Sequence, residues 1–351
     1  MRVVVVGATG NVGSSLVRAL SDDHAVEHVV GVARRLPRLE LPRVEWRAAD
    51  VVHDDLGAVV RGADAVVHLA WRIQPSRDLD ALWLTNVQGT TRLLRAIADE
   101  SVPAFVYASS VGAYSSGPKN ERVDESWPVQ GIRTSFYSRH KAEVERRLDR
   151  FEAEVPSTRV VRLRPGLVFK RGAASGVRRL FAGPFLPTPL LGRRFGVVPA
   201  VPGLRVQAVH SDDVAQAYRL AVLRDDARGA YNVAAEPVLD PQVVAERLGW
   251  PTVPVPVAVA RAGTSAAWRL RLQPSPPGWV DMGLGAPLLD CSRIERELGW
   301  TPRVAADDAV AELLEGLRAG AGEPTPPLSP DSGGPARLGE VASGVGTREA
   351  R

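Results

Sequence analysis

One cysteine in 351 residues, Cys291, excludes an intramolecular disulfide framework and suits a reducing compartment. Long apolar runs are missing too. Phe181 to Gly192 is among the longest, and it is short and broken by prolines, so no membrane span is expected. Met1-Arg2 leads directly into a strand pattern, which leaves no room for a signal peptide, and the expected location is cytoplasmic. The formal net charge is only +4, so nothing demands a nucleic acid partner. Acidic residues are absent from Val155 through Ser211, a stretch that carries ten arginines and lysines. Metal-ligand clusters are equally scarce: His24 and His28 have helical spacing but no third ligand nearby, so no metal is expected.

Three separated pieces carry the chemistry: Gly7-Ala8-Thr9-Gly10-Asn11-Val12-Gly13, Ser110, and Tyr137-Ser138-Arg139-His140-Lys141. The glycine segment follows the apolar run Val3–Val6 and precedes a helical pattern from Ser14 to Leu20. Strand, glycine turn and helix form the setting in which backbone N–H groups bind a pyrophosphate. Gly7, Gly10 and Gly13 allow the tight turn, the close ligand approach and the helix-on-sheet packing. Tyr137 and Lys141 are one helical turn apart on the same face. A free phenol, with a pKa near ~10, is a poor base, and a nearby cation favours the phenolate. Ser110 then holds a substrate oxygen while Tyr137 exchanges its proton.

Buried strands read as Val3–Val6, Val29–Val32, Ala65–Leu69, Phe105–Ala108 and Val160–Leu163. Helical patterns lie between them around Gly13–Leu20, Leu56–Arg61, Leu79–Asp99 and Tyr137–Phe151. Alternating β and α elements predict an α/β fold with a doubly wound parallel sheet. After Pro165 the chain turns to Pro/Gly-rich loops, which suits a smaller, irregular lobe. Residues 319–351, rich in Gly, Pro, Ser and Ala, read as a disordered tail.

Further segments extend the pattern in order: Asp50-Val51, His68-Leu69-Ala70, Thr85-Asn86-Val87-Gln88-Gly89-Thr90, Ala108-Ser109-Ser110 with Tyr114, Arg164-Pro165-Gly166, Val209 to Ala215, and Leu298 to Arg303. With them the chain, from Met1 to about Leu317, resembles the extended short-chain dehydrogenase/reductases, the NAD-dependent epimerase/dehydratase group. That resemblance implies a Rossmann-type NAD(P)-binding domain of residues 1–166 and 206–235 and a C-terminal substrate lobe of 167–205 and 236–318. It implies catalysis by Ser110, Tyr137 and Lys141. Cofactor contacts are implied for Gly7, Thr9, Gly10, Asn11, Val12, Gly13, Asp50, Val51, Leu69, Ala70, Asn86, Ser109, Tyr137, Lys141 and Pro165. A homodimer through the helices around 79–99 and 137–151 is a further implication. The activity expected is an NAD(P)-dependent oxidoreductase or epimerase acting on a secondary alcohol or its ketone. A nucleotide-sugar epimerase/dehydratase with tightly held NAD, and a non-catalytic dinucleotide-binding scaffold, remain alternatives.

Two departures bear on specificity. The run Pro165-Gly166-Leu167-Val168-Phe169 lacks the asparagine usual in nucleotide-sugar members. The second strand ends Val32-Ala33-Arg34-Arg35 without a carboxylate, so Arg34 is assigned to a 2′-phosphate and NADP is favoured over NAD. The acid-free stretch, with pairs Lys170-Arg171, Arg178-Arg179 and Arg193-Arg194, suggests an anionic, partly apolar small-molecule substrate or contact with an anionic membrane surface. A plain basic solvent face is the alternative. Trp71 is open between a pocket wall and a core residue, while Trp268 and Trp279 are expected to pack. His210 is expected to brace a strand-to-helix junction.

Overall fold

In the computed structural model, residues 1–183, 185 and 196–333 are described. Seven strands form one parallel sheet: β1 (Arg2–Val6), β2 (His28–Ala33), β3 (Val44–Ala48), β4 (Ala65–His68), β5 (Ala104–Ala108), β6 (Arg159–Pro165) and β7 (Gly229–Val233). Their order is β7-β6-β5-β4-β1-β2-β3, so the winding reverses at β1. Val3–Val6 pair with Val29–Val32 on one side and with Ala65–His68 on the other.

The run of valines in β1 follows from burial on both faces. Val3 and Val5 enter one core cluster with Leu16, Leu20 and Tyr218; Val4 and Val6 enter another with Leu93, Ile97 and Leu148. Burial of such a side chain contributes roughly 1.5–3 kcal/mol, which offsets the ordering cost of the strand. Helices α1 (Asn11–Ser21) and α6 (Ser211–Leu223) cover the first face. Helices α2 (Leu56–Val60), α4 (Gly89–Asp99) and α5 (Phe136–Glu154) cover the second. Between α3 (Leu79–Trp83) and α4, residues Leu84–Gln88 form a π-helical turn, so the predicted helix 79–99 is continuous but locally widened.

The five expected strands are all present. The two that sequence patterning missed, β3 and β7, are the sheet edges. In β3, Glu45 and Arg47 alternate with half-covered residues, and Trp46 stands over Gly31, where a Cβ would come within 2.6 Å of its ring.

Two short motifs tie the C-terminal part of the described chain to helix α6. Trp300 Nε1 donates to the Asp213 carbonyl at 2.8 Å, and Asp213 Oδ2 accepts from the Arg303 and Val304 amides at 3.0 Å. His210 caps α6, accepting at Nδ1 from Asp212 N, and its Nε2 meets Glu312, as its bracing role requires.

One expectation fails. Residues 319–333 do not begin a disordered tail. Helix α8 (Ala306–Ala319) runs into a segment whose Leu328 and Thr325 are buried. Its Glu323 pairs with the buried Lys170 at 2.6 Å and with Arg18. The composition was low in large apolar residues, yet one leucine and one carboxylate suffice to dock it. Residues 334–351 lie outside the described residues.

Candidate active site

Gly7 takes φ +92°, a conformation that only glycine adopts freely, and its virtual Cβ would meet the Ala70 amide at 2.5 Å. Gly13 is excluded from any larger residue by the Gly7 carbonyl at 2.3 Å. Gly10 differs: nothing lies nearer than 3.5 Å, so the protein itself leaves room there. Helix α1 starts beyond Gly10 with no side-chain cap and no acid in its first turn. Its first N–H groups, including those of Asn11, Val12 and Gly13, therefore face the loop as anion donors. A dinucleotide pyrophosphate fits this cradle.

The other predicted cofactor residues gather at the C-terminal ends of the strands. Leu69 and Ala70 leave β4 directly over Gly7, and Thr9 is buried in the loop. The Asn11 side chain is not free for a ligand. Its Nδ2 donates to the Val168 carbonyl at 2.9 Å and its Oδ1 accepts from Ser211. Asp50 Oδ1 accepts from the Val52 amide and so shapes its own turn, while Val51 is buried against Gly89. Asn86, inside the π-helical turn, pins the Arg72 backbone by two bonds of 2.7 and 2.8 Å. Arg34 is exposed just beyond β2.

Ser110, Tyr137 and Lys141 converge. Ser110 follows β5, accepts at Oγ from the Gly112 amide at 3.0 Å and lies near the Tyr137 phenol, whose pKa it lowers. Gly112 is required here, because a Cβ would lie 3.0 Å from the Tyr137 ring. Lys141 Nζ donates to the Ala108 carbonyl at 2.6 Å and lies 3.5 Å over the Trp71 ring. It is 5.7 Å from the Tyr137 ring.

In the protein alone, burial dominates both groups. Burial pushes the Tyr137 phenol up to about 12, opposed by Ser110. Burial also drives Lys141 well below the usual lysine range, opposed by Glu145. The lysine is thus turned to a carbonyl and a ring rather than to the phenol, and at neutral pH Tyr137 keeps its proton.

Glu145 is the residue that sequence reading missed. It is 1% exposed, one turn beyond Lys141, and binds three elements at once. Ser109 donates to Oε1 at 2.5 Å, Arg164 Nε and Nη2 donate at 2.9 and 3.0 Å, and Arg162 adds a bond at 3.0 Å. Arg164 also donates to Tyr114, whose hydroxyl bonds Asn232. Pro165 thereby inherits its position from Arg164. The available signal was an acid at i+4 from Lys141 on the helix face that the lysine had marked as buried.

The acid-free stretch is largely consumed inside the protein. Arg159 donates to the carbonyls of Ala221, Val222 and Ala227. Arg162 and Arg164 serve the acids of α5, and Lys170 serves Glu323. Arg178 reaches the Gly183 carbonyl, Arg179 reaches Pro327 and Ser332, and Arg205 reaches the Lys119 carbonyl. Seven of the ten cations are thus engaged within the protein. Arg193 and Arg194, and most of the apolar stretch 180–191, lie outside the described residues.

Two aromatic expectations are also settled by position. Trp268 packs, with Nε1 on Ser76 and Arg77 over its ring. Trp279 packs too, against Ile132, Met282 and Ala286, with its ring centroid 5.0 Å from that of Tyr137. Cys291 is partly buried, and burial raises its thiol to about 12, which makes it an idle thiol. Among the described residues no cluster of His, Cys, Asp or Glu fits a metal, and no helix is long and apolar enough to cross a membrane.

Comparison with known proteins decides the lineage. The profile of the NAD dependent epimerase/dehydratase family matches residues 3–234. The chain belongs to that family. An uncharacterized protein of Mycobacterium tuberculosis is 30% identical over 324 residues, which is 91% of this chain and 30% of that protein. The chain therefore spans about three tenths of the length of such relatives. MoeE5 in complex with UDP-glucose and NAD superposes with a TM-score of 0.68 at 22% identity, covering 91% of this chain and 99% of that one. The UDP-glucose 4-epimerase of Thermotoga maritima with UDP-glucose gives 0.67 at 21%, with the same coverage. These structures share the Rossmann-type architecture.

The Glu145 cluster predicts a pH effect. Its carboxyl is held at about 2, burial opposing and the charges and hydrogen bonds of Arg164, Arg162 and Ser109 prevailing. The folded pKa is below the unfolded value, so its stabilisation is full above pH ~4.5 and is lost as pH falls towards ~2. Urea unfolding across that window is expected to lose about 3 kcal/mol in the native protein, and far less in Glu145→Gln. Equal acid sensitivity in both proteins contradicts the assignment.

Proposed function

We propose that this protein is an NAD(P)-dependent oxidoreductase working at a secondary alcohol or its ketone, with Tyr137 as the acid/base. The observation that carries the reading is the convergence of Ser110, Tyr137 and Lys141 at the C-terminal end of β5, beside the neighbouring strand β4 whose end at Ala70 lies against Gly7. A nicotinamide bound in that cradle supplies the hydride chemistry. Ser110 orients the substrate oxygen, and Tyr137 delivers or removes its proton at the same oxygen. Lys141 braces the strand end at Ala108 and presents its remaining donors to the ribose of the cofactor. Gly7, Gly10 and Gly13 seat the pyrophosphate, with Asp50 and Val51 beside the adenine and Arg34 beside a 2′-phosphate.

An internal redox cycle, as in an epimerase or dehydratase, is the second reading. It draws on the family and on the sugar-nucleotide ligands in the solved structures. Cofactor behaviour separates the two.

Tyr137→Phe is expected to lower kcat by about 10³ while cofactor affinity stays within about threefold, measured by steady-state kinetics and calorimetry. Retained turnover removes Tyr137 from the chemistry. The native protein is expected to bind NADPH about tenfold more tightly than NADH, and Arg34→Asp to abolish that preference. NAD released in stoichiometric amount from denatured native protein, identified by mass spectrometry, contradicts both the NADP assignment and the exchanging oxidoreductase.

A further inference from the structure

Four partly exposed rings meet at the acid/base from four different elements. Trp71 follows β4, Tyr137 opens α5, Phe181 stands in the helical turn Arg178–Ala182, and Trp279 sits in α7 (Gly278–Gly285). Trp279 lies 5.0 Å from Tyr137 at 40°, and Phe181 lies 5.0 Å from Trp279 at 80°. Trp71 meets Tyr137 edge-on at 5.9 Å. Ile132 and Met282 continue the apolar wall behind them.

Core packing does not require rings to stay partly open around a polar hydroxyl. Aromatic surface left half-covered beside a reacting group is the usual lining of a ligand site. Charge is turned away from it: Lys141 donates to the Ala108 carbonyl and Arg178 to that of Gly183.

Building on the oxidoreductase reading above, we infer that the substrate carries a flat ring next to its reacting carbon. Its class is an aryl or fused-ring ketone, or the corresponding secondary alcohol. Trp279 supplies the main stacking face, Trp71 the opposite wall, and Phe181 holds Trp279 edge-on. The assignment differs from the sugar nucleotides seen in the structurally similar proteins.

The test titrates 2-acetylnaphthalene, and separately UDP-glucose, into the full chain saturated with NADP⁺. Binding is read by tryptophan fluorescence and calorimetry. The ketone is expected to bind more tightly than UDP-glucose. Trp279→Ala should weaken the ketone about tenfold and Trp279→Phe by less than about threefold, with NADP⁺ affinity unchanged in both. Phe181→Ala, which leaves Trp279 in place, should weaken it about threefold and serves if Trp279→Ala does not fold. Tighter binding of UDP-glucose, or ketone affinity indifferent to both substitutions, overturns the substrate class while leaving the oxidoreductase reading intact. Failure of the native protein to bind either NADP⁺ or NAD⁺ overturns that reading, and the substrate class with it.

Discussion

A single buried carboxylate fixes the geometry on which the rest of this site depends. Glu145 receives Ser109 from the end of β5 and Arg164 from the end of β6, and it stands one turn beyond Lys141 on α5. Those three elements carry Ser110, Pro165 and Tyr137. Burying a carboxylate costs several kcal/mol unless its oxygens are filled, and here charged donors fill them. Two guanidinium groups around one carboxylate also leave net positive charge, which Asp149 and Glu152 offset at Arg162. The cluster therefore locks strand ends and helix in one arrangement, and mutual alignment at the phenol follows from it.

The same cluster explains why the basic composition of the middle of the chain is misleading. A run of ten cations without an acid suggests a surface waiting for an anion. The acids that neutralise it come from elsewhere in the sequence, from α5 and from Glu323, while many remaining guanidinium groups cap carbonyls at helix and loop ends. Linear charge density is a poor guide when pairing is long-range. Among the described residues, the rings of Trp71 and Trp279 lie against Tyr137.

Legibility followed burial. Inner strands such as β1 and β4 are covered on both faces and announce themselves as unbroken apolar runs. Edge strand β3, with Glu45 and Arg47 in it, carries no such run. Gly7 and Gly13 were legible because backbone contacts forbid any other residue there. Asn11 was legible as a position but not as a role, since its partners Val168 and Ser211 are distant in sequence. Spacing alone brought Tyr137 and Lys141 to one face, yet it gave no warning that Ala108 and Trp71 would hold the ammonium. Glu145 and Trp279 needed the fold, because each matters through what distant segments bring to it.

The account's central claim is that Tyr137 is a neutral phenol poised by burial and Ser110, and that the positive charge of an oxidised nicotinamide lowers its pKa. The direct measurement is an NMR titration of ¹³Cζ-labelled tyrosine, with the Tyr137 signal assigned through Tyr137→Phe, in the absence and presence of NADP⁺. The account predicts a pKa of about 12 in the free protein and a clear fall when the oxidised dinucleotide binds. A Tyr137 pKa near the free-phenol value, or one that does not move on saturation with NADP⁺, contradicts it.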